Sequence, residues 1–270
     1  MLTGSGLDRS DGSSSREEAR DAIGLDDPVT RAERAGMAFR STLRRALRPS
    51  IWVGSSYFAY YLAIGCFMPY IALYYRQLGL SGGRIGLLTA LPPLAIALLA
   101  PLWGVITDMR GAHRLVLRGA LALSAIAALG IAQLSTFGQI AGLVGLLAIS
   151  ASPVASLLEG YGVTIGERTG VGYGRLRMWG SLGYIVAAFG LGLLMRGSIS
   201  RLFLVAYAVA LAVACAATFG LPPLGDRKVK PKTGGARRLL RRPAILVLLL
   251  TTYLMALSGS TIANFLGIHM

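Results

Sequence analysis

Seven long apolar runs separated by short polar joints occupy the chain from residue 51 onward, near 51–75, 85–107, 115–135, 138–164, 176–195, 202–222 and 244–270. Each is close to the roughly 20 residues an α-helix needs to cross a bilayer. The pattern predicts an all-α polytopic membrane protein with a six-helix transmembrane bundle over 49–222. A linker rich in Gly, Pro and basic residues follows over 223–243, then a seventh transmembrane helix over 244–270. Residues 1–48 are rich in Ser, Asp, Glu and Arg and carry no sustained apolar period, which predicts a disordered tail with a short amphipathic helix near Arg31–Arg48. No apolar stretch follows Met1, so the start does not read as a signal peptide. Six spans, a basic linker and a lone seventh span lead us to expect a fragment of a larger bundle.

Composition agrees with this pattern. Of the 270 residues 54% are hydrophobic and 14% charged, and the mean hydropathy is +0.61. A soluble domain could not hide so many apolar runs. The net charge of +15 and pI of about 10.6 would also suit a nucleic-acid partner. Its distribution excludes that reading. With the tail inside, eighteen Lys/Arg near the membrane fall on one side, in the tail end (Arg40 to Arg48), around Arg110–Arg118, around Arg168–Arg177 and in the linker. Four (Arg76, Arg84, Arg196 and Arg201) fall on the other. The positive-inside rule then places the N-terminus in the cytoplasm of a cell whose inner membrane holds the protein, with the linker lying against anionic lipid. Cys66 and Cys215 both lie in apolar runs and no CxxC spacing exists. Neither His113 nor His269 has a Cys or carboxylate partner inside a span, so no metal site and no cofactor are expected.

The chemistry concentrates between Glu159 and Arg177. Glu159 is the only charge from Thr136 to Gly166, and Met178 to Met195 carries none. Two spans folding back across a polar joint centred near Arg168 would bring Glu159 and Arg177, nine residues to either side, to similar depth. A charge at a helix centre costs about 2.5–3.5 kcal/mol on insertion scales, so an intramembrane ionisable pair is a functional candidate. A structural alternative is that Glu159 snorkels or pairs with Arg168 or Arg175. Tyr57 and Tyr61, one helical turn apart, are candidates to line the same cavity. The other aromatic residues of the first span (Trp52, Tyr70, Tyr74 and Tyr75) read as interfacial anchors at its ends. Gly180, Gly183, Gly190 and Gly192 suit close helix packing.

Two motifs carry a family resemblance. P-L-W-G-V-I-T-D-M-R-G-A-H-R at 101–114 follows the second span and resembles the G-x-x-x-D-R-x-G-R-R signature of the major facilitator superfamily. It departs at Met109, where an arginine is usual, and at Ala112–His113. Gly104 would allow close helix approach, Asp108 would hold a helix N-terminus or a neighbouring arginine, and Gly111 and Arg114 complete the conformational motif. Y-G-R-L-R-M-W-G-S at 173–181 is similar to the start of the fifth helix in the lactose-permease-like and phenylpropionate-permease-like branch, and G-C-F-M-P-Y at 65–70 is similar to that branch's first helix. That branch carries an acidic residue eighteen positions before the second arginine, here Glu159 before Arg177. The resemblance covers about 51–270. It implies the N-terminal half and seventh helix of a twelve-helix, proton-coupled secondary transporter, with a second six-helix bundle missing. It also implies a solute site formed by Glu159 and Arg177, which grip hydroxyls in the branch's sugar symporters, with an aromatic near Tyr184 stacking on the ring. Sugars, nucleosides and aromatic acids all remain open as substrates.

Other classes fit less well. A seven-helix receptor would want its N-terminus outside, and a retinal protein a lysine in span seven, where 244–270 has none. An intramembrane hydrolase could use Ser258 or Ser260, but no histidine lies in a partner span, so no catalytic residue is assigned. T-G-V-G-Y-G at 169–174 lies on the basic side, unlike a channel filter entered from outside. G-V-G-Y-G-R lacks the dinucleotide-binding spacing and any preceding strand.

Overall fold

The computed structural model describes residues 28–195 and 201–224, with residues 243, 247, 250 and 251, and places side chains from residue 48 on. All but Pro223, Leu224 and Pro243 of the expected linker and all but a few residues of the expected seventh span lie outside the described residues, as does the tail before Pro28. The chain divides into two units between Leu47 and Arg48, and the second carries the membrane helices. All regular structure among the described residues is helical. In chain order α1 is Pro28–Phe67, α2 Ile71–Gln77, α3 Gly82–Arg110, α4 His113–Gln133, α5 Phe137–Ala151, α6 Val154–Thr169, α7 Tyr173–Leu194 and α8 Leu202–Ala217, with a 3-10 turn at Thr218–Gly220.

Six stretches are long and apolar enough to cross a membrane: Arg48–Gln77, Gly82–Arg110, His113–Gln133, Phe137–Thr169, Tyr173–Leu194 and Leu202–Gly220. They match the first six expected spans, but two are not single helices. The first breaks at Met68–Tyr70 and the fourth at Ser152–Pro153. Pro69 and Pro153 lack an N–H and push against the carbonyl four residues back. The Ser152 hydroxyl takes over part of the freed bonding by donating to Ile149 O at 2.8 Å. Prolines alone do not dictate a break, since α3 runs unbroken through Pro92, Pro93 and Pro101.

Small residues set the packing. α4 lies against α8 and α5, with Ala120, Ala127, Ala128 and Ala132 of α4 and Ala208, Ala210 and Ala214 of α8 buried. Ser124 and Ser150 share a buried hydrogen bond of 2.8 Å between α4 and α5, the kind of polar link that adds to van der Waals packing in lipid. The first span is wedged against α6, α7 and α8. A Cβ on Gly65 would stand 2.5 Å from the Tyr184 carbonyl, and one on Gly183 would overlap the Phe58 carbonyl. These two glycines form a reciprocal backbone seam between α1 and α7.

The aromatic anchors behave differently from expectation. Tyr74 and Tyr75 are buried at 4% and 1% exposure. Tyr70 donates to the Ala188 carbonyl at 2.6 Å, and the rings of Tyr70 and Tyr74 pack on Phe203. Among the expected anchors Trp52 stays exposed.

Candidate functional site

The α6–α7 turn is tight. It consists of Gly170, Val171 and Gly172, with φ of 69° at Gly170 and 74° at Gly172. Only glycine enters that left-handed region without strain. The sequence reading took the joint as a broader polar loop centred on Arg168, but Arg168 is still helical and its guanidinium donates to the Pro223 and Leu224 carbonyls. Charged residues continue both helices past the apolar run because helix bonding does not require an apolar side chain.

Beyond the turn, Arg177 Nε donates to Glu159 Oε1 at 3.1 Å, with the two side chains 35% and 32% exposed. The pair forms although Arg177 lies four residues into α7 and Glu159 ten before the end of α6, since the arginine stem is long enough to bridge the offset. Arg168 and Arg175, the alternative partners, do not take this place. The first span supplies the wall. Tyr57 donates to Glu159 Oε2 at 2.9 Å. The Arg177 guanidinium lies 4.2 Å from the Tyr61 ring centroid and 5.9 Å from that of Tyr57. The two rings stack at 6.2 Å, and Tyr60 meets Tyr61 edge-on at 5.2 Å. A planar cation over an aromatic face gains about 0.5–2 kcal/mol, more when desolvated. Gly162 leaves room for the Tyr57 hydroxyl and Gly180 for the Tyr61 ring and Arg177.

Tyr173 completes the cluster, and the sequence reading did not single it out. Its hydroxyl donates to the same Glu159 Oε2. The available signal was its place in the Y-G-R-L-R motif, four residues before Arg177 and so on the same helix face. Tyr184 shares the α7 face of Arg177, two turns further on. It lies seven residues beyond Arg177, about 10.5 Å along the axis, within electrostatic reach of Tyr70. Its backbone forms the Gly65 seam. No contact between Tyr184 and the Glu159–Arg177 cluster is described.

The expected conformational motif sits apart from this cluster. Gly111 ends α3 with φ 61°, a left-handed cap. Asp108 meets His113, the first residue of α4, at 2.9 Å, rather than an arginine of another span. Arg114 follows at the start of α4 and is exposed. Gly104 was expected at a close helix approach, yet none of the described residues comes within 4 Å of where its Cβ would stand. The second-span helix that carries it is poorly covered, with 17% of its apolar window buried against 50% for the first span. Among the described residues no group of three or more His, Cys, Asp or Glu could hold a metal ion.

Comparison with known proteins agrees with the motifs. The family model described as MFS_1 like family matches residues 51–270. Maltose permease of Geobacillus stearothermophilus is 30% identical over 211 residues, which are 77% of this chain and 53% of that protein. The uncharacterized transporter YwbF of Bacillus subtilis (strain 168) is 26% identical over 133 residues, 49% of this chain and 33% of that protein. In fold, the crystal structure of nucleoside transporter NupG aligns with a TM-score of 0.67 at 17% identity, covering 81% of this chain and 56% of that one. The chain thus spans about half the length of the maltose permease it matches. It belongs to the MFS_1 like family, within the major facilitator superfamily, and is an integral membrane protein.

Proposed function

We propose that this member of the MFS_1 like family is part of a secondary active transporter that moves a small organic solute by alternating access, and that Glu159, Arg177, Tyr57 and Tyr61 bind the solute. The observation that carries this reading is the Glu159–Arg177 pair. It is held within the membrane helices, half-exposed, against stacked tyrosine rings. A pair serving structure alone would be enclosed by the helices that make it, whereas this one is left partly uncovered by the described residues. An open one offers donors and acceptors to a ligand. The guanidinium fork and the carboxylate together can read hydroxyls, and the tyrosines offer a face to a ring. Mutual neutralisation keeps the empty site tolerable and favours solutes without net charge, such as sugars and nucleosides, over aromatic acids.

In this reading the N-terminus is cytoplasmic, as the basic residues require. The site lies at the interface with a second six-helix bundle, and rocking of the two bundles exposes it to either side. Gly104, Asp108, Gly111 and Arg114 steady one end of that motion. Protons supply the driving force, entering through acids of the second bundle.

The test is proton-gradient-driven uptake in vesicles from cells expressing the gene's full open reading frame, across sugars, nucleosides and aromatic acids. Glu159→Gln and Arg177→Ala run beside wild type with protein levels matched. Loss of at least about a hundredfold in uptake is expected, since each change removes a charged hydrogen-bonding group that the solute contacts, about 1.5–3 kcal/mol for each such bond. Wild-type uptake in both variants would reduce the pair to a structural link.

A further inference from the structure

Three groups donate to the Glu159 carboxylate, and they are not held alike. Arg177 is fixed on Oε1 by its ion pair and by the Tyr61 ring beneath it. Tyr57, on Oε2, is fully buried in the first span, its ring stacked on Tyr61 and its hydroxyl seated over Gly162. Tyr173, also on Oε2, is 40% exposed. It is the first residue of α7 and follows the Gly170–Gly172 turn directly, so one side of it is backbone with wide conformational freedom. Gly166 lets its backbone lie close to α6. Two of the donors are therefore built into the helix packing, and the third is attached at the rim.

A carboxylate oxygen offers about two in-plane acceptor positions. On Oε2 both are taken, by Tyr57 and Tyr173. A solute hydroxyl that binds this oxygen must replace one of them. Displacing Tyr57 would open the α1–α6 packing, whereas displacing Tyr173 moves an exposed side chain beside a glycine turn. We infer that Tyr173 is a latch: its hydroxyl occupies on Glu159 the position a solute hydroxyl takes, and solute binding requires its release. This rests on the reading of Glu159 as part of the solute site and goes beyond it by naming the residue that competes there. Tyr173 then sets the affinity for hydroxyl-bearing solutes from the turn side of the site, and Tyr57 keeps the carboxylate in place while the exchange happens.

The latch makes a prediction opposite in sign to that of a residue that merely supports the site. The primary test needs no solute. Glu159 in the membrane-embedded full chain is labelled with a carbodiimide and a small amine, and the rate is followed by peptide mass, with Glu159→Gln as the blank. Tyr173→Phe is expected to label at least about fivefold faster than wild type. Tyr70→Phe removes a hydroxyl that bonds the Ala188 carbonyl, away from Glu159, and is expected to label at close to the wild-type rate. Equal rates for Tyr173→Phe and wild type would overturn the inference, as would equal acceleration by Tyr70→Phe.

The second arm uses maltose and uridine as probes and measures the concentration that half-protects Glu159 from labelling. Tyr173→Phe is expected to be protected at about tenfold lower concentration, equivalent to about 1.4 kcal/mol, whereas a supporting residue would give weaker protection. An unchanged or higher half-protecting concentration would overturn the latch. If neither probe protects any variant while Tyr173→Phe still labels faster, Tyr173 covers Glu159 but its exchange with a sugar or nucleoside hydroxyl is overturned together with the solute-site reading for these two classes.

Discussion

The first span touches α7 in two places that follow opposite rules. At the Gly65–Gly183 seam the contact is backbone to backbone, with no space for even a methyl group. One to three turns away the same two helices supply Tyr57, Tyr61, Tyr173 and Arg177, which meet around Glu159 of α6 through hydrogen bonds, an ion pair and stacked rings, partly uncovered. The seam is specified by shape. Lipid tails are as apolar as leucine, so helix association depends on how closely backbones approach. The cluster is specified by chemistry: the Tyr57 and Tyr173 hydroxyls and Arg177 Nε all converge on the Glu159 carboxylate. Close approach at the seam is what lets side chains of ordinary length bridge α1 and α7 at the cluster.

Breaking the seam should have the largest effect. Gly183→Leu must force the Phe58 backbone away, and overpacking at a site that cannot relax costs about 3 kcal/mol or more. The expected outcome is loss of folded protein, read as aggregation in size-exclusion profiles and collapse of the thermal transition. Tyr57→Phe tests the cluster with the seam intact. It removes one donor from a charged acceptor, an effect of about 1.5–3 kcal/mol on that bond. The protein should remain folded with its melting temperature lowered by a few degrees, and solute uptake should fall by about tenfold or more. If Tyr57→Phe were as disruptive to folding as Gly183→Leu, the division between a shape-specified seam and a chemistry-specified cluster would be wrong. The smallest effect is expected at Gly190, seven residues beyond Gly183 on the same helix, where no described residue lies within 4 Å of a Cβ. Gly190→Ala should change stability by less than about 1 kcal/mol, in the stabilising direction that helix propensity favours, measured as an unchanged or slightly raised melting temperature.

How the sequence reading fared depends on which physical rule each feature obeys. The six described spans were legible because bilayer thickness fixes helix length and hydropathy marks the runs. The meeting of Glu159 and Arg177 was legible as well, because two isolated charges flanking a turn within apolar runs have few ways to be accommodated. Helix rotation was not legible. In a soluble helix the core face stands out as an apolar stripe, but here the lipid-facing and protein-facing sides are both apolar, so hydropathy does not say which way a residue points. For that reason Tyr74 and Tyr75 read as anchors and are buried, and Tyr173 does not stand out although it reaches Glu159. Likewise Pro69 and Pro153 break their spans while Pro92, Pro93 and Pro101 do not.

By itself, then, the amino-acid sequence determined that the chain crosses the membrane, roughly where, and which intramembrane charges need each other, because these follow from the cost of placing polar groups in hydrocarbon. Only the tertiary structure decided which tyrosines reach Glu159 and which glycines let α1 and α7 touch. Those depend on the rotation and close approach of particular helices, which three-dimensional packing sets and local sequence does not.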